Sequence, residues 1–151
     1  MILPWLLVGC GGAADGTWLL SLVRDEDDSY GNRIDLMTTL TTLQDGRVLA
    51  QNNWFSLAGV VEAEQATLDF ESRYGTTEGD CEVRWVTSRI LDGTLSYGVF
   101  EGTYVEKQTF SSCDEEEVQG TRYIARGARL DGDPGAHLPP ASAARWDTGW
   151  R

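Results

Sequence analysis

Apolar and polar residues alternate with a period of two along most of the chain. From Thr67 to Tyr74, Leu68, Phe70, Ser72 and Tyr74 fall on one side, and Asp69, Glu71 and Arg73 on the other. Cys81 to Val86 repeats the pattern, with Cys81, Val83 and Trp85 opposite Glu82 and Arg84. This alternation predicts antiparallel strands with one wet face. Trp18–Val23 opens the series, Ile34–Leu43 and Arg47–Gln51 follow, and Phe55–Glu64 puts Leu57, Gly59, Val61 and Ala63 on one face. Arg89–Ser96 continues or follows the Cys81 strand, and Val99–Thr109 and Val118–Leu130 close the series. The pattern amounts to about eight short strands in a meander. No stretch longer than one turn carries a helical period before residue 140.

Turn chemistry separates these runs. Asp45-Gly46 predicts a two-residue hairpin turn with positive φ at both positions. Tyr97-Gly98 is the preferred turn of a later hairpin, with Asp92-Gly93 as the alternative. After Leu130, Asp131-Gly-Asp-Pro-Gly135 and Pro139-Pro140 break regular structure, so residues 131–151 read as a flexible tail.

The opening MILPWLLVGC is apolar throughout and too short to span a bilayer as a helix, which takes ~20 residues. Its end, Leu7-Val8-Gly9-Cys10 followed by Gly11-Gly12, resembles the signal of bacterial lipoproteins, in which small residues precede a cysteine that becomes acylated. The resemblance implies a signal peptide over 1–9, lipidation of Cys10 and a tether over 10–15. The alternative is an N-terminal strand with a buried cysteine. Gly11, where retained lipoproteins carry Asp, implies the outer membrane, facing the periplasm. Several acyl chains hold a protein stably where one is marginal.

A meander without helices must protect its two edges, and closure into a barrel removes them. Gly16-Thr17-Trp18 opens the first strand and Gly120-Thr121-Arg122 lies in the last. This resembles lipocalins and related calycin barrels, in which Gly-x-Trp starts the first strand and an arginine of the last strand packs over the indole. Leu95–Tyr104 is similar to the Gly-rich penultimate hairpin of small lipocalin-like bacterial lipoproteins. The resemblance implies an all-β fold over 16–130, an antiparallel up-and-down barrel of about eight strands, with Trp18 and Arg122 as the closing pair. Arg126 is the alternative arginine, and an antiparallel β-sandwich is the alternative fold.

Charge and side-chain chemistry narrow the function. Acids outnumber bases 24 to 12 and the net charge is −12. A phosphate backbone would be repelled, so nucleic acid is not an expected partner. The single histidine, His137, leaves no triad or metal cluster, and neither a Gly-x-Ser-x-Gly nor a phosphate loop is present. The chain is therefore not read as an enzyme, and no cofactor or metal is expected. Asp25, Asp27 and Ser29 match the start of an EF-hand loop. Tyr30 stands where that loop needs Gly and Leu36 where it needs Glu, leaving only a looser surface Ca²⁺ site against a solvated loop. Asp114–Glu117 reads as a second solvated loop.

Export would place Cys81 and Cys113 in an oxidising compartment, where the pair is expected to be bridged. In the chain-entropy model a crosslink between those positions is worth about 3.7 kcal/mol. Trp85, Tyr97, Phe100 and Tyr104 are candidates to line a ligand cavity, or else to fill the core of a small barrel. Two functions follow: a lipid-anchored carrier of a small apolar or amphipathic ligand, or an anchored structural or interaction protein with a filled barrel that binds another envelope protein. An apolar cavity of ~300 Å³ or more would mark the first.

Overall fold

The computed structural model describes residues 14–25 and 33–130. The expectations for the signal peptide, Cys10, the tail and, apart from Asp25, the Ca²⁺ loop over 25–32 lie outside the described residues.

The alternating segments form eight strands: β1 (Gly16–Arg24), β2 (Arg33–Thr42), β3 (Val48–Gln51), β4 (Ser56–Glu62), β5 (Gln65–Glu78), β6 (Cys81–Ser96), β7 (Val99–Ser112) and β8 (Glu115–Arg129). Each pairs antiparallel with the next, and β1 pairs with β8, closing the sheet into the expected up-and-down barrel. Arg89–Ser96 continues the Cys81 strand, so that residues 81–96 are one strand. Asp114–Glu117 is not a loop: Glu115–Glu117 begin β8, paired with Ser112–Phe110. Charged side chains cost little there because the residues are exposed to solvent.

The hairpins follow from local chemistry. Tyr97 and Gly98 both take positive φ, 53° and 74°, as a tight two-residue turn demands. At Asp45-Gly46 only Gly46 does so, with φ 84°. Leu43 accepts from Gly46 N and donates to Arg47 O, which makes a longer turn than the expected two-residue one. Gly93 and Gly102 face each other across β6 and β7. A Cβ on Gly102 would lie 2.1 Å from the Asp92 carbonyl oxygen, so the tight curl of the sheet at this level requires glycine.

Trp18, Leu20 and Leu22 of β1, Leu36 of β2, Ala50 of β3, Leu57 of β4 and Leu68 of β5 point inward into one core with Phe100, Tyr104 and Ala125. Outward positions carry Asp35, Asp69, Asp92 and Glu101 alongside Met37, Val60, Ile90 and Ile124, all exposed. Both ends of the barrel are plugged. At the end holding the described chain ends, Trp18 is buried and donates its indole N–H to Ala14 O at 2.9 Å. Asp15 accepts from the backbone and hydroxyl of Thr42, both at 2.6 Å, fastening the start of β1 to the end of β2. At the other end the β3–β4 loop turns inward: Asn52 Oδ1 caps the N–H groups of Trp54 and Phe55, each at 2.8 Å. Phe55 stacks on Tyr104 with centroids 5.3 Å apart, and Trp54 packs against Tyr104 and Tyr123.

Strands β5 to β8 run on past the barrel. β4 pairs with β5 only up to Asp69, and β1 pairs with β8 only from Tyr123 onward. The remainder is a four-stranded antiparallel extension projecting from the end opposite Trp18. Cys81 and Cys113 are bridged at its tip, with Cα atoms 5.2 Å apart, as expected. The bond ties the β5–β6 and β7–β8 turns together.

Candidate functional site

The four aromatic residues expected to line one cavity are not brought together. Phe100 lines a small apolar space beside Trp18, Leu68 and Leu95, of about 30 Å³. A volume of that size admits one or two waters and not a drug-sized molecule, which takes ~300 Å³ or more. Tyr104 is fully buried in the core. Tyr97 sits at the β6–β7 turn and is exposed, because the turn carries it off the barrel. Trp85 lies on the extension, beyond the reach of the opposite wall, and is 38% exposed.

The closing pair is also corrected. Trp18 is buried as expected, but Arg122 lies at the far end of β1, where its Nε sits 3.3 Å from Asp25. The reason is parity. Tyr123 and Ala125 point inward, so Arg122 and Arg126 project outward while Trp18 projects inward. Register places Arg129 directly across from Trp18. Paired residues of an antiparallel ladder share a face, so Arg129 holds the position expected of Arg122.

Where the barrel meets the extension, an ion pair stands on the inner face. Arg89 and Glu106 are register partners, with Nε to Oε2 3.1 Å. Glu106 Oε2 also accepts the Tyr104 hydroxyl at 3.2 Å, and Arg89 donates to the Trp54 carbonyl at 3.3 Å. Burial, reinforced by the Glu106 charge, pushes the Tyr104 phenol well above its ordinary value. The cluster caps the aromatic core and pins the β3–β4 loop over it. The cluster was not expected from the sequence. Its signal was a charge at an inward position, Arg89 in the series Trp85, Thr87, Arg89, Leu91.

Beyond this cap no described strand stands over the inner face of the extension. Tyr74, Trp85, Phe110 and Glu117 form one row across the four strands. Tyr74–Trp85 and Trp85–Phe110 centroids are each 5.4 Å apart, the spacing of favourable tilted aromatic contacts. Val83, one row nearer the tip, is buried although it lies outside the core cluster. A half-open groove of about 300 Å³ runs beside the row, lined by Trp85, Thr87, Gln108, Phe110, Glu117 and Gln119. Gln119 donates to Glu117 at 2.7 Å. No group of three or more His, Cys, Asp or Glu among the described residues is placed to hold a metal ion.

Compared with known protein families, curated proteins and solved structures, the chain matches none.

Proposed function

We propose that this protein is a lipid-anchored envelope protein whose filled barrel is a scaffold and whose extension binds another protein. The observation that carries the reading is the barrel interior: the space beside Trp18 is about 30 Å³. The mouth above it is stoppered by Trp54 and Phe55 on Tyr104. A carrier of apolar ligands needs room that these side chains occupy. The carboxylates of Asp35, Asp69, Asp92 and Glu101, which interrupt the apolar residues of the outer wall, support a barrel standing in water and not in lipid, since a membrane barrel carries a continuous apolar band there. The resemblance of Leu7–Cys10 to a lipoprotein signal supports the anchor.

An anchor at Cys10 would enter the barrel at the end opposite the extension. Ala14, four residues after Cys10, packs at the Trp18 end, whereas Cys81 and Cys113 mark the far tip. The 15 residues of β8 at ~3.3 Å each span roughly 45–50 Å. An anchored chain would therefore hold its aromatic groove well clear of the bilayer surface, facing the periplasm.

Titration with a fluorescent fatty-acid probe tests the filled barrel. The expected result is no saturable signal. Stoichiometric binding lost on Phe100→Trp, which would narrow the space further, would overturn it. The anchor is tested by the mass of the mature N-terminus, expected to begin at an acylated Cys10.

A further inference from the structure

We propose that the outer edge of β8, over Glu115–Thr121, is a docking edge for an extended basic segment of a partner protein, which adds as a strand. The inference rests on the interaction reading above and specifies its partner.

Three observations converge. First, the edge is open. β7 pairs with β8 along its whole length, but β1 reaches only Tyr123, with one further bond from Asp25 N to Arg122 O. Among the described residues no strand lies on the other side of Glu115–Thr121, so half of its backbone donors and acceptors point outward. Such an edge is a ready template for another chain.

Second, the edge is selectively charged. Glu115, Glu116 and Glu117 are consecutive and exposed, and no described cation lies within ion-pair distance of them. The open edge of β5 differs, since there Arg73 Nε neutralises Glu71 at 2.6 Å. Three carboxylates repel a second copy of the same edge and any acidic or neutral strand that gains nothing from them. They attract a strand carrying lysine or arginine. Charge therefore chooses the occupant.

Third, the inner face beside the edge suits a cation. Alternate side chains of an added strand project onto the faces of the sheet they join. Those on the inner face would stand beside Glu117 and reach toward Phe110, the next ring in the row. A cation over an aromatic face, with a carboxylate alongside, is attracted by both. Those on the outer face would meet Glu116. The groove beside Gln108 and Gln119 gives the inner side chains room.

The test uses the full, oxidised chain and a labelled, amidated peptide alternating lysine with threonine. Fluorescence anisotropy reads affinity, and amide hydrogen exchange reads where it binds. We expect saturable binding with new protection over residues 115–121. The triple change Glu115→Gln, Glu116→Gln, Glu117→Gln should weaken it at least about tenfold, the scale of close charge pairs at interfaces. A glutamate–threonine peptide should not bind. A peptide N-methylated at alternate residues keeps its charge but cannot pair as a strand, and should also lose binding.

Equal binding by the methylated peptide would overturn strand addition in favour of charge attraction alone. Protection of 115–121 in the free chain that vanishes with residues 131–151 would make the chain's own tail the occupant and overturn the proposal. A concentration-dependent dimer protecting the same amides would do so in favour of a second copy. Absence of peptide binding with an empty barrel overturns this inference alone. A barrel that carries a fatty acid overturns the interaction reading itself.

Discussion

The barrel and the extension are built from the same strands by the same alternation, yet they differ in nearly everything that follows. In the barrel an inward side chain meets an opposite wall, so Leu20, Leu57, Leu68 and Tyr104 are buried. In the extension no described strand stands opposite, and Phe70, Tyr74 and Trp85 on the same face stay 40%, 65% and 38% exposed. The barrel is held by burial from all sides. The extension is held by a ladder, one aromatic row and a disulfide at its tip. Closure, and not composition, separates scaffold from surface.

Two tryptophans break or confirm that contrast most sharply. Trp18→Ala should cost about 3–5 kcal/mol, as other large-to-small core changes do. Trp85→Ala should cost less, about 1–3 kcal/mol, the value of its two ring contacts at ~0.5–1.5 kcal/mol each. Urea unfolding midpoints measure both, and equal costs would mean that the extension is as tightly packed as the barrel.

Removing the crosslink is expected to act next most strongly. Cys81→Ser with Cys113→Ser should cost about 2–4 kcal/mol if the protein unfolds as one unit. If the extension frays by itself, amide exchange will instead rise over 72–88 and 106–121 while Leu22 and Leu57 keep their protection. The second pattern is expected, because few buried contacts tie the tip to the core.

The junction between the regions has its own signature. Burial first, and then the Glu106 charge, raise the Tyr104 phenol above the ordinary value of 10.0. The folded chain then holds a proton that the unfolded chain releases, so this group's contribution to stability is intact below pH ~10 and falls as the pH rises beyond it. Tyr104→Phe should flatten that fall, by about one proton's worth of slope, while preserving the ring stack on Phe55. Unfolding free energy measured on either side of pH 10 checks it.

The smallest effect is expected at Arg122. Its exposed pair with Asp25 should be worth under ~0.5 kcal/mol, so Arg122→Ala should barely move the unfolding midpoint. A loss of several kcal/mol would instead place it on Trp18.

Much of the fold was legible because period-two alternation and the Tyr97-Gly98 turn are local facts. The end of the barrel was not, since Leu68, Phe70, Ser72 and Tyr74 continue one pattern straight across it. Whether an inward residue is buried depends on where β4 and β1 stop pairing, which is a long-range property. Arg122 was misplaced although the signal was present: alternation with Tyr123 and Ala125 assigns it to the wet face. The Arg89–Glu106 pair was hidden because 17 positions separate its members, and only register brings them together. The disulfide was legible from the even cysteine pair together with the resemblance to an export signal, but its position at a tip was not.

The central claim is that the barrel is a filled scaffold and the extension the binding part. Native mass spectrometry of the protein purified from membranes of its own host tests it most directly. The expected mass is that of the acylated chain, or of that chain with a protein partner that is released at high salt. A bound small apolar molecule that survives in the Trp18→Ala-sensitive barrel and is untouched by changes at Glu115–Glu117 would contradict it.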